Sequence, residues 1–177
     1  METVDELIAL PTTLSTAASS SSWVERRDCL TTLTDCCVKH HSTLRDAGKI
    51  DSLVERVLER LEDGSVKVQS HAIVCLERLY REATGVLLIP SLQLLLVPAL
   101  LAAASSANRV VGAAATTLMH AIFGALPAQG IASQLCSTAV HDGNSRLRAL
   151  SLRLLAEYMG RFCEQTDNPA NSNIVRR

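Results

Sequence analysis

Cys36-Cys37-x-x-His40-His41 places two thiols one helical turn before two imidazoles. At this i, i+4 spacing Cys36 lies over His40 and Cys37 over His41, and such pairs can chelate a metal ion on a helix surface. His71 and Cys75 stand at the same spacing. Zinc asks for four ligands at defined distances, and no further pair completes either set, so the reading is core cysteines beside solvated histidines. The six cysteines (Cys29, Cys36, Cys37, Cys75, Cys136, Cys163) lack CxxC spacing and sit mostly among apolar positions. That pattern suits reduced thiols in a cytosolic protein rather than a disulfide framework. No phosphate-binding glycine loop, no GxGxxG and no HExxH occurs. With no local motif grouping a nucleophile, a base and an orienting acid, the chain reads as non-catalytic, with no cofactor and no metal.

The single tryptophan points elsewhere. Ser22-Trp23-Val24-Glu25 has the form of a capping box, in which the Ser22 hydroxyl accepts from the third helical amide and the Glu25 carboxylate reaches back to the cap amide. Trp23 is thus expected at a helix N-terminus, after the polar run Ser19 to Ser22, where a large ring is hard to bury fully. Two readings stay open there: a ring packed at the cap as a staple, or one that waits for a ligand. Lys plus Arg number 17 against 18 Asp plus Glu, a formal charge of −1. No global field for nucleic acid exists, and electrostatic recognition must be local.

The elements that would hold these residues are helical. Aromatics make up only 3% of the chain while 47% of it is hydrophobic, so aliphatic and alanine packing between helices must form the core. "VKVQSHAIVCLERL", "NRVVGAAATTLMHAI" and "NSRLRALSLRLLAEY" align on one pattern. Val68, Ala72 and Leu76 match Val110, Ala114 and Leu118, then Leu147, Ser151 and Leu155, at i, i+4 and i+8 on one helix face. The offsets of 42 and 37 residues are those of a HEAT or armadillo unit. Four antiparallel hairpins follow, giving an all-α, HEAT-like solenoid over 1–163. The first runs from about Val4 to Ala18, with Pro11 inside, and then from Trp23 to about His41. The others pair Lys49–Leu61 with Ser65–Ala83, Ile89–Ala104 with Asn108–Leu126, and Ala128–Val140 with Ser145–Cys163. Residues 164–177 read as a disordered polar tail.

Two stretches test that organisation. "GVLLIPSLQLLLVPALLAAA" approaches the length of a membrane span. Pro90, Pro98, Ser91 and Gln93 interrupt it, and it fills the slot of a first helix in the third repeat. A helix contacted on two sides can be apolar nearly all round. No amino-terminal basic segment with an apolar run and small-residue cleavage site is present, so a secreted fate is not expected. On the last helix, Leu147, Leu150, Leu154 and Tyr158 form one apolar stripe; Leu152, Leu155, Met159 and Phe162 form a second. The second stripe calls for cover by self-association, by a partner or by further repeats.

"SWVERRDCLTTL" resembles the opening W-x-x-R pattern of TOG domains, the tubulin-binding HEAT-repeat modules, in their CLASP and ciliary TOG-array branch. "EDGSVKVQSHAIVCL" and "HDGNSRLRALSLRLL" resemble the later intra-repeat turns and the helices after them. The resemblance runs from about Trp23 to Phe162, with four hairpins where the family carries about six, and with Val24 where it often has a basic residue. It implies a paddle whose intra-repeat turns line one edge and hold tubulin. Carried over, Trp23 is the first-turn contact with Arg26 beside it, Lys67 serves the second turn, Arg109 the third, and Asn144 with Arg146 the fourth. Arg148 matches an arginine that such helices carry for structural reasons. The location implied is the cytoplasm and cytoskeleton, extending to the cilium or centrosome, with no nucleic acid or membrane as partner. The residues themselves leave alternatives: Asn108 and Asn144 as plain N-caps, Lys67, Arg109 and Arg146 as solvated helix starts. A generic HEAT scaffold that binds another protein through the same edge is the competing function.

Overall fold

The computed structural model describes residues 22–83, 85–126 and 128–166. Their regular secondary structure is all helical, with no strand among the described residues. The first helix, α1 (Trp23–Asp46), starts at Ser22, whose hydroxyl accepts from the Glu25 amide at 3.5 Å. It runs one turn past the expected end at His41 and bends at His40 (φ −125°, ψ 22°). Neither proline nor glycine lies there; next to the bend the His41 ring Nδ1 hydrogen-bonds the Val38 carbonyl, a side chain entering the helical ladder. Gly48, at φ +65°, then closes α1 in a Schellman turn, its amide donating to the Arg45 carbonyl and that of Lys49 to the Leu44 carbonyl.

Next come α2 (Ile50–Glu59), whose helix is carried on by a 3-10 turn over Arg60–Glu62, and α3 (Val66–Glu82). A second 3-10 turn at Val86–Leu88 leads to α4 (Pro90–Ala104), and α5 (Arg109–Ala125) follows. The helices of this first compact unit pack in two rows, α1, α3 and α5 side by side in one, α2 and α4 in the other. Bonds between α1 and α3 show that they run parallel: Thr31 to His71, the Cys75 thiol to the Leu30 carbonyl, and Arg78 to Asp35. Tyr80 donates to the Ala121 carbonyl and sets α3 beside α5 in the same sense. Leu30, Leu33, Leu53, Val57, Leu76, Leu79, Leu96 and Met119 fill the space between the rows.

The Leu-rich segment is α4, packed against α2 and α5. Leu92, Leu96, Val97, Leu100 and Leu101 are buried, while Pro98 sits on the exposed side, where the Leu94 carbonyl that loses its intrahelical partner can meet water. Among the described residues no helix is long and apolar enough to cross a membrane. The second unit begins at Leu126 and holds α6 (Ala128–His141) and α7 (Ser145–Thr166), packed on each other around Ile131, Leu135 and Leu154. The helix expected near Val4 to Ala18 and residues 167–177 of the polar tail lie outside the described residues. Glu164, Gln165 and Thr166, read from sequence as tail, continue α7.

One register is corrected. Val68 is fully buried, whereas its expected match Val110 is 71% exposed and Val111 is buried. The buried series on α5 is Val111, Ala115 and Met119. Asn108 is the reason: its side-chain oxygen accepts from both the Val110 and Val111 amides, so the helix starts one residue later than the valine pair suggests.

Candidate functional site

The starts of α1, α3 and α5 lie along one edge of the first unit, because those helices are parallel neighbours. The turns before α3 and α5 are built alike. The Ser65 amide donates to Asp63 Oδ1 at 2.9 Å, the Asn108 amide to Ser106 Oγ at 3.2 Å. In the second unit the Asn144 amide donates to Asp142 Oδ1 at 2.7 Å. Each is a local side-chain turn that hands the chain into the next helix. A long side chain one turn inside the helix ties down the turn carbonyl: Gln69 Nε2 bonds the Asp63 carbonyl at 2.6 Å, and Arg148 bonds the Asp142 carbonyl at 2.8 Å and that of Gly143 at 3.2 Å. At the corresponding place on α5 stands Gly112, where a Cβ would come 3.2 Å from the Ala104 carbonyl and 3.6 Å from that of Ser106. No long side chain fits, and the backbone closes up instead.

Asp63 is the centre of the edge. Arg26 Nε and Nη2 reach its two carboxylate oxygens, each at 2.8 Å, and Arg60 Nη1 approaches at 3.5 Å. Both partners of the Arg26 pair are largely buried, with side-chain exposures of 14% and 4%. Burial pushes the Asp63 carboxyl up, but the Arg26 and Ser65 hydrogen bonds and the charges of Arg26 and Arg60 outweigh it and hold the group below its ordinary value. Arg26 thus couples the first turn to the second; its guanidinium faces inward.

Trp23 stands beside that pair, half-buried, with the Lys67 ammonium 4.2 Å from the ring centroid and the Arg27 guanidinium at 5.5 Å. Through these cations the ring joins the first two turns. Lys67 is exposed, as is Arg109 on the third turn. Between them the edge presents Val24, Val66 and Val110 to solvent. In the second unit Asn144 caps α7 through the Arg146 amide at 2.9 Å, and both side chains are exposed.

Compared with known protein families, curated proteins and solved structures, the chain matches none of them. The edge is therefore read from its own chemistry. It brings Trp23, Arg26 and Lys67 together; Arg109 lies further along the same edge. Asp63, Arg27 and Val66 went unnoticed in the sequence, and Val110 was expected in the core rather than on the edge. Asp63 had a signal there, because Asp-Gly precedes the helix start in both "EDGS" and "HDGN".

The Cys29, Cys37 and Cys75 thiols are buried. Burial, and then the neighbouring Cys36, push the Cys37 thiol up to about 12, and burial likewise raises Cys29 and Cys75. All three are thus protonated and inert at neutral pH. The bend at His40 disturbs the i, i+4 register that the Cys36–His40 and Cys37–His41 pairs assume. Among the described residues no three His, Cys, Asp or Glu side chains gather where they could hold a metal ion.

Proposed function

We propose that the chain is a non-catalytic tubulin-binding module, a shortened TOG-like HEAT array that acts on microtubules through its intra-repeat turns. The observation that carries this reading is the half-buried Trp23 ring with the Lys67 ammonium over it, on an edge continued by Val66, Arg109 and Val110. An aromatic anchor, exposed aliphatic groups and unburied cations form the combination found at protein–protein hot spots. They also suit an acidic partner surface such as tubulin's. The parallel rows of α1, α3, α5 and α2, α4 support the repeat architecture, each pair contributing one turn to the edge.

In this reading Trp23 and Lys67 are the contact pair, with Arg109, Asn144 and Arg146 as further contacts. Arg26 positions the first turn through Asp63 rather than touching the partner. The test is co-migration with soluble tubulin dimer on size exclusion. Wild type is expected to co-elute and Trp23→Ala to lose binding by about 2–4 kcal/mol, with helicity kept. Equal binding by the variant would remove the edge from the reading. A chain that never co-elutes with tubulin would leave the edge to another protein and favour the generic scaffold.

A further inference from the structure

Asp-Gly stands twice in the chain, at Asp63-Gly64 before α3 and at Asp142-Gly143 before α7. Both aspartates make the same local turn, with Oδ1 accepting from the amide two residues on, Ser65 at 2.9 Å and Asn144 at 2.7 Å. That bond folds each carboxyl back along the main chain, beside the glycine nitrogen in between, and glycine has no Cβ to keep the two apart. The surroundings differ. The Asp63 side chain has almost no exposure; Arg26 holds both its oxygens at 2.8 Å, and Arg60 stands nearby. Asp142 is half-buried, and among the described residues its carboxylate accepts from the Asn144 amide alone, while no hydrogen bond occupies the Gly143 amide. Val68 on α3 is fully buried, whereas its counterpart Leu147 on α7 is half-buried. Further along α7, Leu152 and Met159 of the stripe expected to need cover are exposed and Leu155 is half-buried; the Phe162 side chain lies outside the described ones. A helix start with few buried groups opens locally at low cost.

We propose that Asp142-Gly143 is a site of spontaneous aspartate isomerisation, and that the Arg26 clamp spares the same dipeptide at Asp63-Gly64. In the reaction the Gly143 nitrogen attacks Cγ of the protonated Asp142 carboxyl. The C–N bond forms as the C–OH bond breaks, and the hydroxyl leaves with the amide hydrogen as water, giving a cyclic imide. Water then adds to one of the two imide carbonyls. Opening at Cγ restores aspartate. Opening at the former main-chain carbonyl routes the chain through Cβ and Cγ and leaves that carbonyl as a free carboxylate, an isoaspartyl linkage. No other reactant is needed. At Asp63 the step is blocked twice. A carboxylate gripped by Arg26 cannot turn onto the Gly64 nitrogen. Burial there is outweighed by the Arg26 and Ser65 hydrogen bonds and the arginine charges, which hold the carboxyl below its ordinary value, so the protonated form that can lose water is scarce at neutral pH. At Asp142 isomerisation lengthens the turn by one main-chain carbon and converts the carbonyl that Arg148 bonds at 2.8 Å into a free carboxylate, which disturbs the Asn144 cap of α7. The reaction does not depend on tubulin binding.

The test ages the full chain for weeks at neutral pH and counts isoaspartate in the tryptic peptides 61–67 and 110–146. Mass spectrometry locates it, and methyl-ester formation by an isoaspartyl methyltransferase with labelled S-adenosylmethionine measures it independently. Isoaspartate at Asp142 is expected to exceed that at Asp63 at least about tenfold, since the buried ion pair must break before Asp63 can react. In guanidinium chloride the two sites should react alike. Gly143→Ala should keep the fold, because a Cβ there meets nothing within 4 Å and the backbone has no positive φ, and should suppress the product at Asp142. Arg26→Ala should raise the product at Asp63 and leave Asp142 as it was. Equal rates at the two sites of the folded chain overturn the proposal, as does an Asp142 that forms no isoaspartate or a difference that persists in denaturant. An Arg26→Ala chain that still spares Asp63 overturns the role of the clamp.

Discussion

Asp63 receives two charge-assisted hydrogen bonds from Arg26, one backbone bond from Ser65 and a nearby charge from Arg60, while almost none of its side chain meets water. Removing the carboxylate leaves two guanidinium groups facing each other in a poorly solvated turn. Asp63→Ala is expected to cost about 3 kcal/mol in urea unfolding, the low end for orphaning a buried pair. Arg26→Ala should cost less, since Arg60 and Ser65 still serve the carboxylate. The carboxyl is held below its ordinary value, so its contribution is complete above about pH 4 and is lost as pH falls through that lowered value. His71 works in a higher window. Its Nε2 lies 2.9 Å from the Thr31 hydroxyl; burial, then the charge of Arg27, lower its pKa against the opposing pull of Asp28. The folded state therefore prefers the neutral ring. Its share of stability is present above about pH 6.5 and disappears as pH drops through the lowered value. Melting temperature measured from about pH 7.5 to 5 should fall more steeply in wild type than in His71→Gln. Parallel slopes would show that the ring carries no such linkage.

The unit that repeats is a turn and the helix it starts, and α7 carries one departure from it. Ala72 and Ala115 are fully buried against neighbouring helices; the corresponding residue of α7 is Ser151, fully buried with no hydrogen-bond partner for its hydroxyl among the described residues. An unsatisfied hydroxyl is costly, and serine is also a poorer helix former than alanine. Ser151→Ala is expected to stabilise the protein by about 1 kcal/mol, read as a higher urea midpoint at unchanged slope. A loss of stability would mean that the hydroxyl is satisfied after all. Helix positions were legible from apolar spacing because that spacing is the burial pattern itself: Ile50, Leu53, Val54, Val57, Leu58 and Leu61 are all buried, as the 3.6-residue period requires. Register was less legible at α5, since "RVVG" offers two adjacent valines and hydrophobicity does not say which points inward. Only the Asn108 cap decides, and a cap's phase depends on backbone geometry that periodicity does not encode. The bend at His40 left no sequence signal either, since bends are usually marked by proline or glycine.

At the scale of the whole molecule, 17 basic and 18 acidic side chains cancel, so a recognition field exists only where charges are sorted. Sorting is visible at the turns. Asp63, the acid nearest the second turn, is neutralised by Arg26 and Arg60, while Lys67 and Arg109 remain exposed on the same edge. In the second unit Arg146 is exposed while the main-chain carbonyl of Asp142 is taken up by Arg148. Much of this was readable as residue types at helix starts. The inward turn of Arg26 was not, because its acid lies 37 positions away and only the fold brings the two together. If the exposed cations steer an acidic partner, they act mainly through screened attraction over a Debye length of about 8–10 Å. Reversing Lys67, Arg109 and Arg146 together to glutamate should then weaken tubulin binding most at low ionic strength and flatten its salt dependence. Lys67→Glu alone should have a second effect, because the cation over the Trp23 ring is lost and the indole is freed to move. Tryptophan fluorescence should report that change without any partner present. Binding titrations of the triple variant at about 25 and 150 mM salt give the decision. Affinity and salt slope equal to wild type would mean that the partner is held elsewhere, and that the sorted charges serve solubility alone.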